Sequence, residues 1–252
     1  VRLTTWNVNG YRSAVRGGFW DLIGRIQPHV LMLQEIKCHP ERLRLDESQP
    51  PGWHTAWTPA DKAGYAGTAV WSREPIEPLE APPDPDGRVT LVRTAGLVVG
   101  SLYVPSGTAG PERQAFKETW LTRLQPWAQA LAERAEPVIL GGDLNIAHSR
   151  WDLHDPVANR AHTGFLPRER AWLDELLQVG WIDLQRCVVG PELQAPHSFW
   201  SRRRKDRLNR GWRLDYVLGN DLAARMLRGA ETHQEGGVSI SDHAPVSVDL
   251  AS

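Results

Sequence analysis

The sequence predicts an α/β protein of the α+β type, with two packed β-sheets, helices outside them and one domain over residues 1–252. Short apolar runs bounded by Gly, Pro or polar clusters recur along the chain, as buried strands do. Strand-like segments joined by Gly and Pro turns fill the middle, and helical patterns flank them on both sides. No repeat, low-complexity tract or long linker divides the chain.

The elements follow in order. A strand over 1–8 precedes a helix near 18–27, where Phe19, Leu22, Ile23 and Ile26 fall at helical spacing. A strand at 29–35 leads into strands at 53–57, 67–72, 88–93 and 97–104, with turn chemistry concentrated in Pro82-Pro83-Asp84-Pro85-Asp86-Gly87. A helix over 112–134 carries Phe116, Trp120, Leu124, Trp127 and Leu131 on one stripe. Strand 137–142 opens a polar loop over 146–164, and a helix over 168–178 is framed by Pro167 and Gly180. Strand 214–218, a helix near 221–228 and strands near 229–234 and 245–250 close the chain. The run Val238-Ser239-Ile240-Ser241 also reads as a strand.

Composition excludes several classes. With 41% hydrophobic and 23% charged residues the chain is an ordinary globular protein, and no apolar stretch approaches the roughly 20 residues of a membrane span. A net charge of −1 gives no global pull on nucleic acid, so any such site must be a local basic patch. Two cysteines, Cys38 and Cys187, are no disulfide framework, and with no signal peptide visible they point to a reducing, cytoplasmic setting. Twelve tryptophans exceed what a core of this size requires, which leaves some for the surface or a substrate.

Four of the apolar runs share one property: they stop on carboxylates, amides or a histidine. The strand at 1–8 ends at Asn7-Val8-Asn9, that at 29–35 at Gln34-Glu35, that at 137–142 at Asp143-Leu144-Asn145, and the run from 238 at Asp242-His243. Brought to one rim, these groups suit a hard, oxygen-ligated cation and a phosphoester. Asp143 and Asn145 alternate across Leu144 and point the same way in a continuing strand, where they would hold a water; Gly141-Gly142-Asp143 is equally turn chemistry. His243 supplies a group titrating near neutrality, and Asp215 is its candidate carboxylate partner, or else a strand aspartate paired with Arg213 or solvent. The densest positive block, Arg202-Arg203-Arg204-Lys205-Asp206-Arg207-Leu208-Asn209-Arg210, lies between Phe199-Trp200 and Trp212. That interleaving fits a nucleic-acid backbone and a displaced nucleotide, although charge runs are more often solvated faces. The remaining histidines show no zinc spacing.

Several motifs in family order now stand together: Trp6-Asn7-Val8-Asn9-Gly10, Leu33-Gln34-Glu35-Ile36-Lys37, Tyr103-Val104-Pro105 and Gly142-Asp143-Leu144-Asn145-Ile146-Ala147-His148. Gly164-Phe165-Leu166-Pro167, Gly211-Trp212-Arg213-Leu214-Asp215-Tyr216 and Ser241-Asp242-His243-Ala244-Pro245 follow. Together they resemble the exonuclease III family of apurinic/apyrimidinic (AP) endonucleases, within the endonuclease/exonuclease/phosphatase superfamily, over essentially the whole chain. The resemblance implies a four-layer α/β/β/α sandwich of two mixed sheets with the site at one edge. It implies Mg²⁺, with Mn²⁺ as the alternative, on Glu35 with Asn9 and Asp242 nearby. It implies catalytic roles for Asp143 and Asn145 on water, for His243 paired with Asp215, and for Asn7 and Tyr103 around the phosphate.

Phe199, Trp212 and Leu214 match an apolar pocket for a flipped abasic sugar, and Arg113 and Lys117 a helix start that touches the DNA backbone. Arg202, Arg203, Arg204, Arg207, Arg210 and His162 complete the expected DNA-facing set. The implied activity is Mg²⁺-dependent hydrolysis 5′ of abasic sites in double-stranded DNA, with 3′–5′ exonuclease and 3′-end processing, by a monomer. Two alternatives are a dedicated 3′–5′ exonuclease and a catalytically inactive DNA-binding relative. Three positions depart from better-known relatives: Ser106, Ala109 and His162, the last bulky enough to narrow the pocket and favour 3′ ends.

Overall fold

Val30-Leu31-Met32-Leu33 is apolar on successive residues, which suits a strand only where both faces are covered. The computed structural model describes residues 1–201, 210–234 and 239–251. In chain order its strands begin with β1 (Arg2–Asn7), β2 (Val30–Gln34), β3 (His54–Thr58) and β4 (Thr68–Ser72). The next are β5 (Glu77–Pro78), β6 (Val89–Thr94), β7 (Leu97–Tyr103) and β8 (Val138–Asp143). Then come β9 (Ile182–Asp183), β10 (Asp215–Gly219), β11 (Leu227–Thr232) and β12 (Val246–Leu250). The α-helices are α1 (Tyr11–Arg16), α2 (Phe19–Ile26), α3 (Leu45–Ser48), α4 (Pro111–Ala132), α5 (Pro167–Gln178), α6 (Leu184–Val189) and α7 (Asp221–Arg225).

Two six-stranded sheets result, in the orders β11-β12-β1-β2-β4-β3 and β5-β6-β7-β8-β10-β9. Each has one parallel pair at its centre, β1 with β2 and β7 with β8, and antiparallel neighbours otherwise. A parallel pair needs a crossover, and α1 with α2 supplies the first while α4 supplies the second. Leu3, Val30, Met32 and Val70 of one sheet meet Val92, Val99, Ile139 and Val217 of the other in the middle layer. Phe19, Leu22, Ile23 and Ile26 of α2 cover the first sheet with Trp6 and Trp71, and α4 and α5 cover the second through Trp120, Leu124, Trp172 and Leu176. The layers are therefore α/β/β/α, as the sequence implies.

Both parallel pairs end at the same rim. Asn7 pairs in register with Gln34, Tyr103 with Asp143, and the antiparallel β10 begins at Asp215 opposite Asp143. Ligands of α/β sheets gather at such carboxyl ends.

Three readings change. Gly141 and Gly142 lie within β8, not in a turn: a Cβ on Gly142 would fall 1.8 Å from the Leu102 oxygen, and one on Gly141 2.5 Å from Met32 Cε in the other sheet. The strand read at Val238–Ser241 is absent from the described part of that segment, where Ser239 and Ile240 are helical; Val238 itself lies outside the described residues. There the Ser241 hydroxyl donates to the Asn7 carbonyl at 2.7 Å and accepts the His243 N–H at 3.2 Å, a local bonding pattern that competes with a ladder. Finally, Trp6, Trp71, Trp181 and Trp200 are fully buried, so much of the tryptophan excess is core.

Candidate active site

Asn7 closes β1 facing the second sheet, and its amide joins the two. Asn7 Nδ2 donates to Glu35 Oε1 at 2.8 Å and to Asp143 Oδ2 at 2.9 Å. Asn7 Oδ1 accepts the Asn9 backbone N–H at 3.0 Å, which turns the chain sharply. Asn9, Glu35, Lys37 and Asn145 all hold left-handed backbone, with φ of 46°, 51°, 51° and 51°. Such conformations cost of order 1–3 kcal/mol each and gather where a site over-determines them.

Asp143 is fixed on several sides. The Asn145 backbone N–H donates to Oδ1 at 2.8 Å, and its side-chain amide to Oδ2 at 3.1 Å and to the Val104 carbonyl at 2.9 Å. Asn145 is therefore a clamp on Asp143. His243 faces the same carboxylate, with Nε2 at 3.8 Å from Oδ2, and on its other side Nδ1 lies 2.8 Å from Asp215 Oδ2. Ser198 Oγ donates to that Asp215 oxygen at 2.6 Å. The alternative pairing of Asp215 with Arg213 fails because Arg213 turns to Asp152 at 2.6 Å and Asp183 at 2.8 Å.

Charge follows from this packing. Burial pushes the Asp143 carboxyl up to about 7, with Asp215 and Glu35 adding to the rise and His243 opposing it. Burial works against a charged His243, but Asp215 and Asp143 on its two sides raise it to about 10. Burial also opposes ionisation of Glu35, yet Lys37 and Asn7 hold its carboxyl below the ordinary value. Burial, with Glu35 and Asp143 beside it, pushes the Tyr103 phenol far up and keeps its proton.

Two sets of groups could hold a cation. Ligand atoms of Asp143, Asp215 and His243 lie within 4.8 Å of one another. Those atoms are committed to each other by the Asp215–His243 hydrogen bond, which a metal between them would break. The other set is the one expected from the sequence: Glu35, Asn9 and Asp242. Asn9 Nδ2 donates to Asp242 Oδ1 at 2.8 Å, while the Lys37 ammonium donates to Asn9 Oδ1 at 2.5 Å and pairs with Glu35 Oε2 at 2.7 Å. A cation thus already bridges two of the three groups, and their oxygen donors suit Mg²⁺.

Beside His243 the apolar residues converge. The Phe199 ring lies 4.8 Å from that of His243, and Phe199 and Trp212 pack on the buried cluster of Ala147, Leu153, Phe165 and Leu214. Arg113 donates to Tyr65 Oη at 2.6 Å and lies over the Phe116 ring, while Arg210 and His162 are exposed. Lys117 is a correction to the DNA-facing set. Its side chain is 0% exposed and bound to Glu169, because the stripe of α4 that carries it faces inward, so no backbone phosphate meets it at the surface. Arg202, Arg203, Arg204 and Arg207 lie outside the described residues.

Sequence reasoning missed Lys37, Ser198 and Tyr65 as parts of this site. Lys37 lies two residues from Glu35 in a run already singled out, a signal that was available. Ser198 and Tyr65 enter only through folding, Tyr65 by receiving both Arg113 and the buried Arg88.

Residues 4–243 match the endonuclease/exonuclease/phosphatase family. An exodeoxyribonuclease of Bacillus subtilis (strain 168) is 34% identical over 258 residues, 98% of this chain and 98% of that protein. An AP endonuclease from Archaeoglobus fulgidus superposes with TM-score 0.89 at 25% identity over 99% of each chain. A 3′–5′ exonuclease from Neisseria meningitidis gives TM-score 0.89 at 27% identity over 100% of each.

Proposed function

Because this chain belongs to the endonuclease/exonuclease/phosphatase family, in its exonuclease III branch, we propose that it is a Mg²⁺-dependent DNA repair nuclease cutting the phosphodiester 5′ of abasic sites. One observation supports the reading: Phe199, which packs with Trp212 on the cluster holding Leu214, lies against the His243 ring, so an apolar wall borders the hydrolytic groups. An abasic sugar, lacking a base to unpair, is the nucleotide least costly to flip against it.

In the proposed reaction Asp143 takes the proton of a water, whose oxygen attacks phosphorus as the bond to the 3′ oxygen breaks. Asn145 fixes the carboxylate that receives this proton. Protonated His243, held by Asp215 and Ser198, places a positive Nε2–H beside the charge developing on the phosphoryl oxygens. Asn7, whose two amide N–H groups hold the Glu35 and Asp143 carboxylates, and the Tyr103 phenol, bonded to Glu35, border the same space. Glu35, Asn9 and Asp242 would hold the metal, which when bound supplies Lewis-acid stabilisation of the phosphoryl and leaving oxygens.

The same groups serve a terminal 3′ residue, so 3′–5′ exonuclease and 3′-end processing belong to the proposal. A second reading weights those activities above abasic cleavage. It draws on His162, exposed on the loop that leads to Gly164, where a Cβ would lie 3.3 Å from Trp212 Cζ3. We further propose one domain acting as a monomer in the cytoplasm; no helix among the described residues is long and apolar enough to cross a membrane.

The test is cleavage of a duplex carrying one abasic analogue. Wild type should require a divalent cation and stop in EDTA. Glu35→Gln should raise the Mg²⁺ concentration for half-maximal rate tenfold or more. Cleavage that persists in EDTA would overturn the metal requirement.

A further inference from the structure

Beneath the carbonyl of Asn145 lies a charged pair outside the reacting groups. The side chains of Lys117 on α4 and Glu169 on α5 are each 0% exposed, and Lys117 Nζ donates to Glu169 Oε1 at 2.6 Å. The same ammonium donates to the Asn145 backbone oxygen at 2.8 Å. Glu169 Oε2 accepts the backbone N–H of Gly164 at 2.7 Å and of Leu166 at 2.9 Å. Gln114 donates to Glu169 Oε1 at 3.2 Å, and Thr163 Oγ1 donates to Gln114 Oε1 at 2.5 Å. The two segments also meet directly, since the Ala147 N–H donates to the Gly164 oxygen at 2.7 Å.

Desolvation makes a buried pair costly, and apolar side chains of similar volume are often at least as stable. Burial does pull the Lys117 ammonium below its ordinary pKa, against the pull of Glu169. What alkyl groups would not reproduce is the geometry. Asn145 sits at φ 51°, its N–H fixed by Asp143 and its carbonyl by Lys117. Through Glu169 the same ammonium is tied to the segment carrying Phe165, which packs against Trp212 at a ring distance of 6.4 Å.

We propose that Lys117 and Glu169 are positioning residues that lock the Asp143–Asn145 turn to the 163–166 loop, so that the water-activating carboxylate and the apolar wall of Phe165 and Trp212 move as one unit. The proposal deepens the nuclease reading and rests on it for its catalytic consequence.

The test uses Lys117→Met/Glu169→Gln, which removes both charges at once and leaves an oxygen to accept from Gly164 and Leu166. Amide hydrogen exchange without DNA should accelerate tenfold or more over residues 143–148, with the melting temperature within a few degrees of wild type. On the abasic duplex kcat should fall by about 10², the scale of a 1 Å misplacement, while KM changes less than threefold. Lys117→Met/Glu169→Met, apolar throughout, guards against a first variant that does not fold, and should free residues 163–166 as well. Wild-type exchange over 143–148 in a folded variant overturns the proposal, as does wild-type kcat. If wild type itself leaves the abasic duplex uncut, the nuclease reading falls, and the exchange data still decide whether the pair positions the turn.

Discussion

Asp143 joins full burial to direct contact with Asn7 and Asn145, and burial lifts its pKa to about 7. A base must be ionised to take a proton, so kcat/KM should rise with pH up to about 7 and then level. His243 should stay protonated until its own pKa near 10, where activity falls again. Asp143→Asn should remove the ascending limb and cost about 10²–10⁴-fold, the usual range for a positioned base. His243→Asn should cost less and keep that limb. Equal losses with an unchanged profile would contradict this division of roles, and a pH–rate series on the three proteins decides it. Glu35, Asn9, Asp143 and His243 stood out because each closes or follows an apolar run, whereas Asp215, which opens β10, was named only as a partner for His243. Lys117 was misread from its place on a helix start, since spacing alone does not say which stripe of α4 faces inward.

Strand glycines decide how closely the elements approach. A Cβ on Gly142 would lie 1.8 Å from the Leu102 oxygen in the parallel partner, so Gly142→Ala must displace backbone. Loss of about 3 kcal/mol is expected by urea unfolding, at the upper end for overpacking. Gly24 in α2 has nothing within 4 Å of its Cβ position, and Gly24→Ala should stabilise by about 0.5–1 kcal/mol. Wild-type stability for Gly142→Ala would contradict the tight β7–β8 approach. Another element-level tie is Asp152, between Arg213 and Arg186 on the loop after β8. Burial opposes its ionisation, but the two guanidinium groups hold its carboxyl at about 2, below the unfolded value of 3.8. A depressed carboxyl stabilises above pH 3.8 and loses that contribution as pH falls toward 2, so Asp152→Asn should flatten acid unfolding across that window. The long, periodic elements were readable from sequence. β5, β9 and α6, of 2, 2 and 6 residues, are too short to show a period, and the Ser241 turn hides behind an apolar run.

At the scale of the molecule, two sheets with the same pairing pattern bring Asn9 and Asp242, 233 residues apart, into one hydrogen bond. The class of two packed sheets was legible because strand and helix patterns are coarse. The strand orders were not, since pairing between segments so distant leaves no local trace. With a net charge of −1, binding to DNA must rest on a local surface, and its affinity should fall steeply with salt. This rim and its apolar wall are proposed to act together in hydrolysing the bond 5′ of an abasic site. Single-turnover cleavage of a duplex with one internal abasic analogue, beside the undamaged duplex and a recessed 3′ end in Mg²⁺, measures it most directly. A single incision at the abasic position, at least as fast as removal of the 3′ residue and absent from undamaged DNA, is the predicted result. An intact abasic strand alongside rapid 3′ trimming would contradict it.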